Sequence, residues 1–468
     1  MQFKKLLVFI AVLFSAVACI EMDKTLGNGL VPESEQLYMS HSEIDLPLRI
    51  NISDSLQTLN ATHGFFGAFN TQEYGMSNFA TVGDISLSVE GLDLGKDHQV
   101  KSVYLVIPVD EKFALTDADL HMPQEINVYR TYKHIDSITC YNNSFTANDY
   151  STTPLNKTPI TFFGGDSVKF YLDHSIAYEL LNYTKEQADS MELYNETHKG
   201  VIIKCSNPDK FTYGGRLNIA TLENAILYIK SNFQPTWEEG LGRKDTLIGM
   251  YFTNTYALNI AEHESKGQVD LSNEQLNIPI EGIAGLKPYV DCVTLKELLD
   301  TWYVKEKERF EKETGNDSNN YNLTIGSATF YLPVDIPADY NMDNYPANIF
   351  PAIREYNEEF NLTKYTFTDD VWITNNPNGE LNRSMEHYHG DISYYIRDLF
   401  MTSKAELVAD PYLNAWFMPL TQSEDSYGNI TYDVDMMAYY KGYVKGNLST
   451  GAKPRVKIMY VWSKAMDN

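Results

Sequence analysis

The sequence predicts a mainly β protein with helical insertions (α+β), built as two related β-sandwich-like halves. Three observations carry that reading: short β-branched and aromatic runs broken by Asn, Asp, Gly and Pro, a few helical stripes set between and after them, and a strand pattern that recurs at long range. The chain has 468 residues, enough for two or three domains with cores of their own. Its 43% hydrophobic and 13% aromatic content exclude a disordered chain. Lys and Arg total 37 against 63 Asp and Glu, a formal charge of -26, which repels polyphosphate and argues against nucleic acid as a partner.

The elements follow in chain order. Lys4 and Lys5 precede an apolar stretch from Leu6 to Ala18, so residues 1–18 read as a signal peptide too short to span a bilayer. Ala16-Val17-Ala18-Cys19 resembles a bacterial lipobox, which makes Cys19 the expected lipidation site and 19–35 a lipid-anchored tether ending in a Gly- and Pro-spaced linker. Glu21 and Asp23 just behind it resemble the acidic export signal of Bacteroidota surface lipoproteins.

Residues 36–285 read as an N-terminal β-rich domain, with strands expected at Ile85 to Val89, Ser102 to Val109, Val168 to Leu172, Val201 to Cys205, Ala225 to Ile229 and Ile248 to Leu258. One helix is expected near Ser175, its stripe formed by Ile176, Leu180, Tyr183, Met191 and Tyr194. Residues 286–468 read as a C-terminal α+β domain. It opens with a helix from Thr294 to Gly315, for which Thr294 and Glu297 form a capping box and Gly315 the stop, with Lys305 to Arg309 as a solvated face. Two further helices are expected, Pro351 to Phe360 and Ile392 to Val408 capped by Asp391. The last strand, Val456 to Trp462, alternates poorly and reads as covered on both faces. Ser102 to Asp110 aligns with Ser327 to Asp335 at an offset of 225 residues, each an apolar strand ended by Pro-Val-Asp.

Beyond Cys19 only Cys140, Cys205 and Cys292 remain, without zinc spacing or a disulfide framework, so stability must come from the core. Chemistry-bearing patterns are sparse. His387 and His389 share one face of a strand and are candidate metal ligands, although the cupin spacing of Gly and Glu is missing. Glu262-His263-Glu264 lacks the second His of a zinc helix. Asp369-Asp370, Trp372 and Asn375 to Gly379 form an acidic loop with the makings of a calcium site, and Trp372 is a candidate for stacking a sugar. No nucleophile elbow, phosphate loop or dinucleotide fingerprint is present, and nothing implies a cofactor.

Several stretches resemble a family of Bacteroidota surface lipoproteins known as domain of unknown function four-two-seven-zero. They are Cys19 with Asp23 and Leu26-Gly27, Phe66 to Asn70 with Tyr74-Gly75, Gly285 to Asp291, Ala328 to Val334, and Pro454 to Ile458. Thr71-Gln72-Glu73 departs from the Asp-Pro turn expected there. The resemblance implies a surface-lipoprotein setting and transfers no functional residue. The expected function is therefore non-catalytic binding at the outer-membrane surface. The chain would be held to the membrane by its lipid, and its 33 tyrosines would serve glycan or nutrient capture beside a transporter, or envelope assembly and adhesion. The alternative from another class is a surface hydrolase acting on glycan or peptide.

Overall fold

The computed structural model describes residues 36–465 other than 54–55, 57, 59–60, 89, 92–94, 136–144, 207–212, 235–241, 265–266, 284, 337–341, 358–361, 373–378, 425 and 437. The residues expected to form a signal peptide and tether, with Cys19, Glu21 and Asp23, and Cys140 lie outside these residues. The protein is mainly β, with 51% of residues in strands, 19% in helices and several antiparallel sheets.

Among the described residues the largest sheet has 11 strands. Its long path runs Glu111–Ala114, Gly214–Thr221, His63–Thr71, Gly75–Leu87, Lys244–Glu264, Ile226–Gln234, Lys96–Pro108 and Ser167–Tyr171. A five-stranded sheet is ordered Leu37–Asp45, Arg455–Lys464, Tyr321–Pro333, His387–Asp391 and Glu380–Asn382. A third sheet carries Leu48–Ser53 beside Gly285–Val290, and Asn277–Glu281 pairs with Lys441–Lys445. Leu37–Asp45 lies against the last strand and Leu48–Ser53 against Gly285–Val290, so the first two strands complete sheets of the C-terminal half.

Six helices are described: α1 His174–Leu180, α2 Lys185–Ala188, α3 Met191–Thr197, α4 Cys292–Thr314, α5 Ser393–Met401 and α6 Lys404–Ala409. The single stripe expected near Ser175 is thus split into α1, α2 and α3, because Thr184 and Ser190 each restart the backbone as an N-cap. In α4 the cap is Asp291, whose Oδ1 accepts from the Thr294 amide at 2.8 Å and its hydroxyl at 2.7 Å, so Thr294 donates to the cap instead of forming it. Gly315 closes that helix at φ 73. Glu306, expected on a solvated face, is buried and accepts from the Tyr460 hydroxyl while Arg309 pairs with it at 3.1 Å.

The helix expected at Pro351 to Phe360 is a strand, Ile349–Asn357. Its hairpin partner Leu362–Phe367 begins pairing only at Ala352, so the N–H that Pro351 lacks is not missed on that side. The last strand alternates cleanly, with Val456, Ile458, Tyr460 and Trp462 buried and Arg455, Lys457 and Met459 turned outward. Trp302 and Phe310 of α4 pack on those inward rings, Phe310 lying 4.9 Å from Trp462. Tyr439 joins this core to the first half, edge-on to Phe79 at 5.4 Å and to Phe113 at 4.8 Å.

A buried ionic cluster fastens the same junction. Glu281 and Lys441 face each other across paired strands with Nζ to Oε1 at 2.5 Å, both buried, and the other Glu281 oxygen accepts from the Leu286 amide at 2.9 Å. Burial alone would raise the Glu281 carboxyl, but the charge and hydrogen bond of Lys441 hold it down at about 2. Lys287 is also buried and donates to the Ile283 carbonyl at 2.9 Å, with burial pushing it down to about 7. His263 Nε2 donates to the Tyr74 carbonyl at 3.1 Å and Nδ1 lies 3.0 Å from the Ser77 hydroxyl, while burial lowers the ring's pKa and favours the neutral form, in which Nδ1 accepts from Ser77. Cys205 and Cys292 are buried and form no disulfide among the described residues. No helix among the described residues is long and apolar enough to cross a membrane.

Candidate functional site

The outward face of the five-stranded sheet collects polar and aromatic groups that the sequence scatters over 400 positions. Alternation turns Phe330, Leu332 and Tyr388 into the core, so their neighbours Tyr331, His387 and His389 must face out. Register then sets Glu380 opposite His389, His389 opposite Tyr331, and Tyr331 opposite Arg455. His389 stacks nearly parallel to Tyr331 with ring centroids 6.1 Å apart, and Arg455 lies over the same ring at 5.1 Å. Glu43 anchors Arg455 from the edge strand at 3.3 Å.

Beside this row lies an open pocket of about 520 Å³ lined by Ala347, Asn348, Glu380, Leu381, Asn382, Arg383 and His389. Gly379 makes its wall possible. It sits at φ 77, and a Cβ there would stand 1.6 Å from the Ile349 carbonyl oxygen, so only glycine lets Glu380–Asn382 approach. Asn382 accepts from the Met385 amide at 3.0 Å, and Arg383 pairs with Asp343 at 3.2 Å. Burial and the neighbouring His387 charge lower the His389 pKa, so its ring is neutral at physiological pH.

The residues nominated from sequence divide clearly. His387 and His389 do share a face, with centroids 5.3 Å apart. Among the described residues, however, no group of three His, Cys, Asp or Glu could hold a metal, and a tetrahedral zinc site would need more than this pair. Trp372 is 53% exposed and edge-on to Tyr432 at 5.1 Å, which leaves a ring face accessible. Asp370 is spoken for: it is buried, accepts from the Tyr394 amide at 2.7 Å and the Tyr395 amide at 3.0 Å at the start of α5, and is raised to about 6 by burial. Asp391 shares that cap through the Ser393 amide at 2.8 Å. Tyr331, Glu380, Arg383, Asn348 and Arg455 were missed, because period-two alternation identifies outward positions without saying which strands lie side by side.

Comparison with known proteins yields no family: no family model and no curated protein matches the chain. Among solved structures the chain is weakly similar to the Faustovirus major capsid protein, at 8% identity over 92% of this chain and 90% of that one. The TM-score is 0.09, so this likeness carries no argument.

Proposed function

We propose that this protein is a lipid-anchored outer-membrane surface protein, of the Bacteroidota lipoprotein family it resembles, that acts by binding glycan. The observation that carries the reading is the open pocket, where Asn348, Glu380, Asn382, Arg383 and His389 offer planar polar groups next to the Tyr331 ring. Sugars are held by that combination, hydroxyls on planar amide, carboxylate and guanidinium groups and C–H faces on aromatic rings. The lining has one carboxylate, Glu380, whereas glycoside hydrolysis by paired acids needs two, which favours binding over the hydrolase alternative.

The two-halved sandwich organisation belongs to the same proposal and has specific support. Lys96–Pro108 and Tyr321–Pro333 both end at a proline, and at an offset of 225 Val103, Leu105 and Ile107 bury as Ala328, Phe330 and Leu332 do. Each strand pairs antiparallel with one that leads through an Asp-x-Ser cap into a helix, Asp173 to the Ser175 amide at 2.9 Å and Asp391 to the Ser393 amide at 2.8 Å.

Binding is tested by screening the Cys19→Ser chain against host and dietary polysaccharides by calorimetry. Glu380→Gln and His389→Ala should each weaken the best ligand about tenfold, and Trp372→Ala tests sugar stacking by a similar factor. Failure against the whole panel would remove glycan capture and favour an assembly role. Anchoring is tested by fractionation. Cys19→Ser should abolish membrane association, since stable anchoring takes more than one acyl chain on the cysteine and none remains. Glu21→Ala with Asp23→Ala should keep the protein in the membrane but hide it from protease added to intact cells; unchanged surface digestion would defeat the export signal alone.

A further inference from the structure

The first half presents a face equivalent to the one just described, with different chemistry. On the outward side of the strands Ser167–Tyr171, Lys96–Pro108 and Ile226–Gln234, register sets Tyr171 opposite Tyr104 and Tyr104 opposite Tyr228. Tyr104 and Tyr228 stack with centroids 5.1 Å apart, and Tyr171 follows at 6.1 Å from Tyr104. Lys169 is wedged among them, its Nζ 4.0 Å from the Tyr104 centroid and 4.9 Å from that of Tyr171. Lys230 is exposed at the next outward position after Tyr228. Behind the row Val103, Leu105 and Ile107 are buried in one core with Ile176 and Leu180 of α1, so the strands are a rigid floor and the tyrosines are their solvent face.

We propose that this row binds a linear anionic polysaccharide, its carboxylate or sulfate groups meeting Lys169 and Lys230 and its sugar rings lying along the tyrosines. Charge decides the ligand class. On a chain of net charge -26 an anion is repelled from most of the surface, and a face carrying the exposed ammonium groups of Lys169 and Lys230 is an unusual landing place. Lys101 nearby pairs with Asp245 at 2.7 Å and Lys230 lies in the field of the same carboxylate, whereas Lys169 forms no ion pair among the described residues. Ring packing decides the geometry. Tyr104 and Tyr228 stack, with Lys169 against Tyr104, while Tyr171 is tilted by 51° and more than half exposed, so the row offers phenol hydroxyls to carboxylate or sulfate oxygens and a free ring to a sugar. Shape decides the length. Three strands span about 10 Å, the scale of a disaccharide, and the row lies on the solvent side of a sheet, so it suits a chain passing across it.

The inference uses none of the residues of the His389 pocket, and its test is separate. The full chain carrying Cys19→Ser is passed over immobilised polygalacturonate, immobilised dextran sulfate and uncharged dextran at low salt. Retention is expected on at least one of the charged supports and not on dextran, with release as salt rises, because exposed charge pairs are screened. Lys169→Gln with Lys230→Gln should lower affinity for the retaining polymer about tenfold, and Tyr104→Leu with Tyr228→Leu by a similar factor, with circular dichroism unchanged in both. No retention on either charged support, equal retention on dextran, or undiminished retention of the double-lysine variant would overturn the proposal. So would association only with phosphatidylglycerol vesicles, which would make the face a membrane contact.

Discussion

Replacing Lys441 with methionine is expected to destabilise the protein by about 3–5 kcal/mol, because it strands the Glu281 carboxylate in a fully buried site. In the native protein Glu281 is depressed to about 2, below the ordinary carboxylate range. Its contribution is therefore fully present above the unfolded-state value near 4 and is lost as pH falls toward 2. In Lys441→Met the sign reverses: an unpaired buried carboxyl is raised, so the variant should lose stability as pH climbs above about 4. Urea unfolding at several pH values reads both effects. Glu281→Leu added to Lys441→Met should restore much of the loss, since an apolar pair of similar volume is often neutral to stabilising. A single variant within about 1 kcal/mol of the parent at neutral pH would show that the pair does not stabilise the fold.

The second large effect lies at Asp84, which is 2% exposed. Its carboxylate has a hydrogen bond from the Gly200 amide, yet Oδ1 meets no partner. Burial raises its pKa to about 7. The folded chain then keeps this proton between about pH 4 and 7 while the unfolded chain gives it up, so stability falls across that window by about 1.4 kcal/mol per pH unit. Asp84→Asn removes the titration without changing the shape. At pH 8 it should raise stability by about 2–4 kcal/mol, and near pH 4 it should change little. An equal shift at both pH values would mean that Asp84 is not held protonated in the fold.

Both residues show where sequence reading stops. The strand runs were legible because β-branched and aromatic residues cluster in short runs, continuous or alternating: Val201–Cys205, buried at nearly every position, is observed with the expected limits, and the proline-ended strands were found by their own pattern. Pro351 misled because a proline before an apolar stretch is as good a first helical turn as it is a strand residue whose missing N–H is not needed. Thr294 misled because Asp291, three residues earlier, is the better acceptor. His387 and His389 were visible as a face-sharing pair, but Arg455 and Glu380 came to that face only through pairings set by the whole fold. Asp84 gave no signal at all, since nothing local says that a carboxyl in a β-branched run will be sealed from water.

The pairing of Leu37–Asp45 with Arg455–Lys464 has a kinetic consequence. Those strands stand more than 400 residues apart, so the ribbon that closes the five-stranded sheet forms only after nearly the whole chain has been made. Until then Met39 and Tyr38 have no strand beside them, and Trp302 and Arg309 lack the Ser42 and Ser40 hydroxyls to which they donate. The 11-stranded sheet contains neither terminal strand and can assemble while the rest is still arriving, leaving closure of the ribbon as the late step of folding. Until that ribbon closes, the last strand keeps one edge bare, open to pairing with another chain.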